Sequence, residues 1–228
     1  MRFEDFNWMD IERYLEQDDR VILITGSTEQ HAYLSLLTDI LIPTRIALAV
    51  AERERVVIAP PLNFGVSELF VDFPGTISLS RATFEAVLSE ITDGLLHHGF
   101  RRFFVLNGHG GNQMPTHLND LQLEGLARVE WYDWWREGAV RAFEAEHGLQ
   151  VNHANWGENF PFNRVADSPT NDKPAVMLPD IQGGRTPREV LGDGSFGGPY
   201  QADDSLMQAL FERVVDEAAE RLRAMPPV

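Results

Sequence analysis

Two short apolar runs constrain this chain more than any other feature. Val21-Ile22-Leu23-Ile24-Thr25 and Phe103-Phe104-Val105-Leu106-Asn107-Gly108 are each rich in β-branched or aromatic residues, and each runs straight into a glycine turn followed by polar residues. An uninterrupted apolar run of this length is the mark of a strand buried on both faces, which belongs in a parallel sheet rather than in a half-solvated antiparallel one. Helical patterns separate the strands. Residues 43 to 54 follow Pro43 in a first turn and carry Ile46, Ala47, Ala49 and Val50. Residues 80 to 98 offer Ser80 as a cap and Phe84, Val87, Leu88, Ile91 and Leu95 at helical spacing, with Gly99 after the end. Residues 56 to 61 read as another strand, 113 to 127 as a helix, 129 to 135 as a strand and its exit, and 136 to 147 as a polar helix. A last helix, 205 to 223, puts Leu206, Leu210, Val214, Ala218 and Leu222 on one face. The alternation predicts an α/β fold, a mostly parallel sheet with helices on both faces. No internal repeat or linker interrupts residues 1–228, which are read as one domain.

Composition narrows the chemistry. There is no cysteine, so disulfides, thiolate catalysis and cysteine-based metal sites are excluded, and any metal must sit on nitrogen and oxygen. The formal charge of −16 repels phosphate backbones and anionic membranes, so no nucleic acid is expected as a partner. No stretch reaches the ~20 apolar residues of a membrane span, and the start of the chain lacks a signal-peptide pattern. A cytoplasmic location is the default expectation.

Three polar segments remain. The first is Gly26-Ser27-Thr28-Glu29-Gln30-His31, leading to Asp39. Glu29 and His31 are two apart, so in extended chain they project to one side, where a carboxylate and an imidazole can share a metal. By itself this pair is equally readable as a structural histidine beside a carboxylate. The second is Asn107-Gly108-His109-Gly110-Gly111-Asn112, after the other apolar strand. Both would emerge at the carboxyl ends of parallel strands, the edge where α/β sheets bind ligands, although a tight turn capped by His109 explains the second equally well. The third is His153-Ala154-Asn155-Trp156-Gly157-Glu158, a histidine and a carboxylate five apart on a loop. Trp156 either walls a pocket or fills core. The stretch from 167 to 204, rich in Pro, Gly and Asp, is long enough to be functional or to serve assembly.

Together, GSTEQH with its following Thr-Asp, NGHGGN and HAxxxE resemble, in order and distance, three segments of the creatininase family. Phe73-Pro74-Gly75-Thr76 and His98-Gly99-Phe100-Arg101-Arg102 resemble its intervening stretches. The resemblance implies a three-layer α/β/α sandwich, often a hexamer, with two divalent ions (Zn, Mn or Fe) at the carboxyl edge of the sheet. Carried over, Glu29, His31, Asp39, His109 and Glu158 fall on metal-ligand positions, with Asp39 as the bridge, and His153 lines the active site. The implied reaction is attack of a metal-bound hydroxide on the carbonyl of a small cyclic amide or formamide, with His153 or Glu158 protonating the departing nitrogen. Gly110, Gly111, Tyr33, Trp156 and Phe70 are the expected pocket walls. Two departures stand out. The loop from His31 to Asp39 is one residue shorter than in the family and lacks its glycine–proline–histidine start. Gly111 stands where creatininases proper carry a glutamate ligand, so Glu158 is needed as substitute and turnover of creatinine itself stays open. A peptide terminus or a lactone as substrate, or a non-catalytic anion-binding role for the glycine turn, are the rival readings.

Overall fold

The computed structural model describes residues 1–176 and 185–228. In chain order its elements are α1 (Trp8–Leu15), β1 (Arg20–Thr25), α2 (Thr38–Glu54), β2 (Val57–Ile58), α3 (Arg81–His98), β3 (Arg102–Asn107), α4 (Thr116–Leu123), β4 (Arg128–Asp133), α5 (Gly138–His147), α6 (Pro187–Leu191) and α7 (Asp204–Ala224). The four strands form one sheet in the order β2-β1-β3-β4, and every pairing is parallel. Thr25, Asn107 and Asp133 lie in register across its carboxyl edge.

The two-residue period of the strands sorts their side chains into two cores. Ile22, Ile24, Phe104, Leu106 and Tyr132 face α2, α5 and α7, where they pack with Ile46, Val50, Phe143, Leu210 and Val214. Val21, Leu23, Phe103, Val105 and Val129 face the opposite way, toward Phe84 and Leu88 of α3, Leu118 and Leu121 of α4, and the apolar side of α1. The layers are therefore helix, sheet, helix, as expected. The open edge of β2 is covered by the first residues of the chain: Ile58 donates its N–H to the Met1 carbonyl at 2.9 Å. That hydrogen bond blunts an edge that would otherwise invite pairing.

Element boundaries differ from the sequence expectation in ways that have physical causes. Helix α2 starts at Thr38, five residues before the expected start, so Pro43 lies inside it. Proline has no N–H to give to the carbonyl four residues back, which belongs to Asp39. That carbonyl packs instead where side chains at Gly26 and Gly108 would stand. The two glycines thus admit the opening turn of α2 between the ends of β1 and β3, and this wedge carries Asp39 into the middle of the sheet edge. Strand β2 is cut short by Pro60 and Pro61, and α4 by Pro115 before it and by Gly125 (φ 72) after it. The expected strand over 129 to 135 turns into a 3-10 turn at Trp134–Arg136. Helix α1, not anticipated, is closed by a capping box between Asn7 and Asp10. Within the 167 to 204 stretch, α6 is capped by Thr186, and residues 177–184 lie outside the described residues.

Candidate metal centre

The carboxyl edge of the sheet is stapled by amide side chains before any titratable group is considered. Thr25 Oγ1 donates to Asn107 Oδ1 at 3.0 Å, and Asn107 Nδ2 donates to the His109 carbonyl at 2.8 Å and to Asp133 Oδ1 at 2.7 Å. Asn112 Nδ2 reaches back to the Gly26 carbonyl at 3.1 Å, and Asn112 Oδ1 accepts from the Val66 N–H at 3.1 Å. These bonds fix the turn that carries His109 against the one that carries Glu29 and His31.

On this platform the five residues expected as ligands converge, though they come from four separate stretches of chain. Asp39 stands at the centre. Its Oδ1 lies 3.0 Å from His31 Nε2 and its Oδ2 2.9 Å from His109 Nδ1. Glu29 Oε1 is 3.4 Å from His109 Nδ1, and Glu158 Oε2 is 3.7 Å from His31 Nε2. Two donor sets result, Glu29–Asp39–His109 and His31–Asp39–Glu158, each with its ligand atoms within 4.8 Å of one another and each made of buried residues. A third, Glu29–His31–His153, brings in the histidine of the last segment, whose Nδ1 is 3.7 Å from Glu29 Oε1.

The other nitrogen of each ligand-type histidine is tied to the backbone. His31 Nδ1 stands 3.3 Å from the Glu29 carbonyl and His109 Nε2 stands 2.8 Å from that of Val66. Donation through these nitrogens leaves His31 Nε2 and His109 Nδ1 as lone pairs facing the carboxylates, which is how metal-binding imidazoles are held. Despite the short separations, Glu29 Oε2, His31 Nε2 and Asp39 Oδ2 find no aligned hydrogen-bond partner. Buried polar atoms left so are costly, and three of them within one cluster of carboxylates and imidazoles fit a cation better than they fit a proton network. Among the described residues no Lys or Arg pairs with Glu29, Asp39 or Glu158.

With only protons to balance three buried carboxylates, the titration is strongly perturbed. Burial works against a charged His31, but Asp39, Glu158 and Glu29 outweigh it and push its pKa up to about 10. His109 is likewise disfavoured as a cation by burial and raised on balance by Glu29 and Asp39. Burial opposes ionisation of Asp39, yet His31 and His109 hold it below the usual carboxylate range. Glu158 is pushed up to about 7 by burial, with Asp39 adding to the effect. His153 goes the other way, lowered by burial and by its neighbour His31.

His153 is locked in place by aromatic packing. Its ring stacks on Phe70 at 4.4 Å and 15°, and it lies 5.2 Å from the Phe196 ring. Gln30 ties the surrounding segments together: its Oε1 accepts from the Ala32 N–H at 3.1 Å, its Nε2 donates to the Gly194 carbonyl at 3.0 Å, and its own carbonyl lies 3.1 Å from His153 Nε2. Ala32 and Ala154, each directly after a site histidine, hold φ of 50° and 55°. Left-handed backbone at a residue with a Cβ is uncommon and is found where surrounding structure forces it.

A cavity of about 460 Å³ opens onto this cluster, lined by Glu29, Asp39, His109, His153 and Glu158 among others. Gly110, Gly111 and Phe70 line it as expected, and Phe196 shows that the 167 to 204 stretch contributes. Trp156 and Tyr33 do not. Trp156 is completely buried, its indole N–H donating to the Gln150 carbonyl at 2.8 Å, and it fills core beside Phe143. Tyr33 packs edge-on against Tyr200 instead. Trp135 joins Phe70 and Phe196 in the aromatic wall and was not foreseen, nor were Ser67, Leu69, Arg136 and Asn152. The only advance sign for Trp135 and Arg136 was their place at the carboxyl end of β4. Gly111 has no room for a side chain: a Cβ there would press into the Val66 carbonyl and lie 2.5 Å from His109 Nε2.

Comparison with known proteins agrees with this architecture. A family model described as "Creatininase: Creatinine amidohydrolase" matches residues 4–222. Creatinine amidohydrolase of Pseudomonas putida is 25% identical over 98% of this chain and 96% of its own. Mycofactocin precursor peptide peptidase of Mycolicibacterium smegmatis is 39% identical over 91% of this chain and 85% of its own. Among solved structures, a zinc–zinc form of a creatininase mutant superposes with a TM-score of 0.78 at 24% identity, covering 99% of this chain and 98% of that one.

Proposed function

We propose, on the premise that this chain belongs to the creatininase family of hydrolases, that it is a two-metal amidohydrolase acting on an amide C–N bond of a small molecule. One observation carries the reading: Asp39 offers its two carboxylate oxygens to two separate buried donor sets at once. Glu29, Asp39 and His109 would hold one divalent ion, and His31, Asp39 and Glu158 the other. Nitrogen and oxygen donors without thiolate suit Zn, Mn or Fe. When bound, such ions supply Lewis acidity, which polarises a carbonyl and provides a nucleophile from water at neutral pH.

The chain's own residues do the rest. Asp39 and Glu29 keep the donor sets adjacent, and the backbone carbonyls of Glu29 and Val66 hold the imidazoles in the required tautomer. His153, fixed against Phe70 and facing Glu29, is placed to move a proton between the reacting centre and the departing nitrogen, and Glu158 is the second group able to do so. Trp135 and Phe196 give the cavity apolar walls.

A cyclic amide or formamide is the first substrate reading. An amide at a peptide terminus is a second, favoured by two observations: the 39% identical relative is named for a precursor peptide, and a cavity of about 460 Å³ is of the size that accepts drug-sized ligands. The whole of 1–228 is read as one catalytic domain, working in the cytoplasm as a closed homo-oligomer, by family likeness a hexamer. Among the described residues no helix is long and apolar enough to cross a membrane.

The test is metal analysis of protein purified without chelator, followed by a panel of cyclic amides, formamides, lactones and short peptides. A stoichiometry near two per chain, and loss of both metal and turnover in Asp39→Asn, are expected. Protein that binds no added divalent ion, or an Asp39→Asn variant with unchanged metal content and turnover, would overturn the reading.

A further inference from the structure

Among the described residues every carboxylate lining the cavity belongs to the metal-type cluster, and one guanidinium lines the cavity with them. Arg136 is the sole Lys or Arg among the residues lining it. It sits at the end of the 3-10 turn that follows β4, so it shares the sheet edge with the other functional residues. Its position is held from two sides. The guanidinium lies over the Trp135 ring at 5.2 Å from the centroid, and its Nε is 3.5 Å from Asp133 Oδ2. Asp133 is itself fixed, its Oδ1 accepting from Asn107 Nδ2 at 2.7 Å and from Trp131 Nε1 at 2.9 Å. Among the described residues neither terminal nitrogen of Arg136 donates a hydrogen bond to the protein, and the side chain keeps 53% of its exposure.

We infer that Arg136 is a specificity residue that receives an anionic group of the substrate, a carboxylate on the part of the molecule distal to the scissile amide. The chemistry fits the observations. A guanidinium paired through Nε and lying over an indole has its two outer nitrogens left to act as a fork, the geometry that matches a carboxylate with two parallel hydrogen bonds. A chain of net charge −16 repels an anion at long range, so an anionic substrate needs a local cation at the mouth of this site. Here the Trp135 ring and the Asp133 ion pair hold a half-exposed guanidinium at the cavity lining. The inference rests on the metal-hydrolase reading and deepens it, from an amide to an amide whose molecule carries a negative charge.

The probes are hydroxamates of the form HO2C–(CH2)n–C(O)NHOH, with two to four methylenes, each paired with its terminal carboxamide. The hydroxamate reports on the metal centre, and the distal group reports on Arg136. Calorimetric titration of metal-loaded protein should show the carboxylate bound about tenfold tighter than the carboxamide at the best length, a ratio that shrinks with added salt. In Arg136→Gln the ratio should fall to near one, and Arg136→Lys should keep part of it. Equal affinity of each pair in the parent protein, or an undiminished ratio in Arg136→Gln, would overturn the inference while leaving the metal centre standing. If no hydroxamate of either kind binds, the metal-centre reading falls and takes this inference with it.

Discussion

Gly110 and Gly111 are adjacent, both line the cavity, and the structure predicts opposite responses to the same small substitution. At Gly111 a methyl group would be driven into the Val66 carbonyl and would stand 2.5 Å from His109 Nε2, the nitrogen 2.8 Å from that same carbonyl. Gly111→Ala must therefore move either the 66 backbone or the imidazole. Overpacking of this kind costs about 1–3 kcal/mol, and loss of the His109 hydrogen bond adds about 1 kcal/mol. At roughly 2–4 °C per kcal/mol for a chain of this size, the melting temperature should fall by about 5–15 °C. Metal affinity should fall as well, by roughly 10–100-fold, the usual loss when an imidazole ligand loses the partner that orients it. At Gly110 a methyl group meets only Trp135, at 3.9 Å, an ordinary contact. Gly110→Ala should therefore keep the parent melting temperature and metal affinity. Differential scanning calorimetry and zinc titration of the two variants side by side decide the matter. If Gly111→Ala matches Gly110→Ala in both measurements, the role assigned to the Val66 carbonyl in holding His109 is wrong. The same crowding means that Gly111→Glu should not restore the glutamate ligand of creatininases proper.

Two further outcomes are expected. In chelator-treated protein, His31 has a folded pKa raised from 6.5 to about 10, so its stabilisation is complete below the lower value and is lost as pH rises through the higher. Glu158, raised from 4.5 to about 7, acts in the same direction over its own interval, while the lowered pKa of Asp39 matters only on the acid side. The metal-free melting temperature should thus decline between pH 6 and pH 9, whereas the gain on adding metal should grow, because protons must leave the histidines for a cation to bind; a metal-free melting temperature that climbs over that interval would contradict the cluster's electrostatics. Trp156→Ala should destabilise the fold by about 3–5 kcal/mol in thermal or denaturant unfolding, as loss of a buried indole does. Trp156→Phe should retain most of the stability and the full metal content, and a selective loss of substrate binding with normal stability would return Trp156 to the pocket.

Sequence alone was enough to reveal the parallel sheet and to single out most of the candidate ligands. The runs at 21 to 25 and 103 to 108 are apolar on both faces, and only a strand covered by helices on both sides satisfies them. Once two such strands end in polar glycine turns, their carboxyl ends are where ligand-binding groups collect, so Glu29, His31 and His109 stood out as candidates, and the family resemblance singled out the metal-ligand reading. What the linear order could not carry is distance between segments. Glu158 meets His31 across more than a hundred residues, and Asp39 reaches the centre because its helix begins early and wedges its opening turn between Gly26 and Gly108. Trp156 and Trp135 look alike as letters. Which one fills core and which one walls a cavity was settled by how the 150 to 160 loop packs against α5 and by where β4 stops, and both are matters of tertiary packing, not of local pattern.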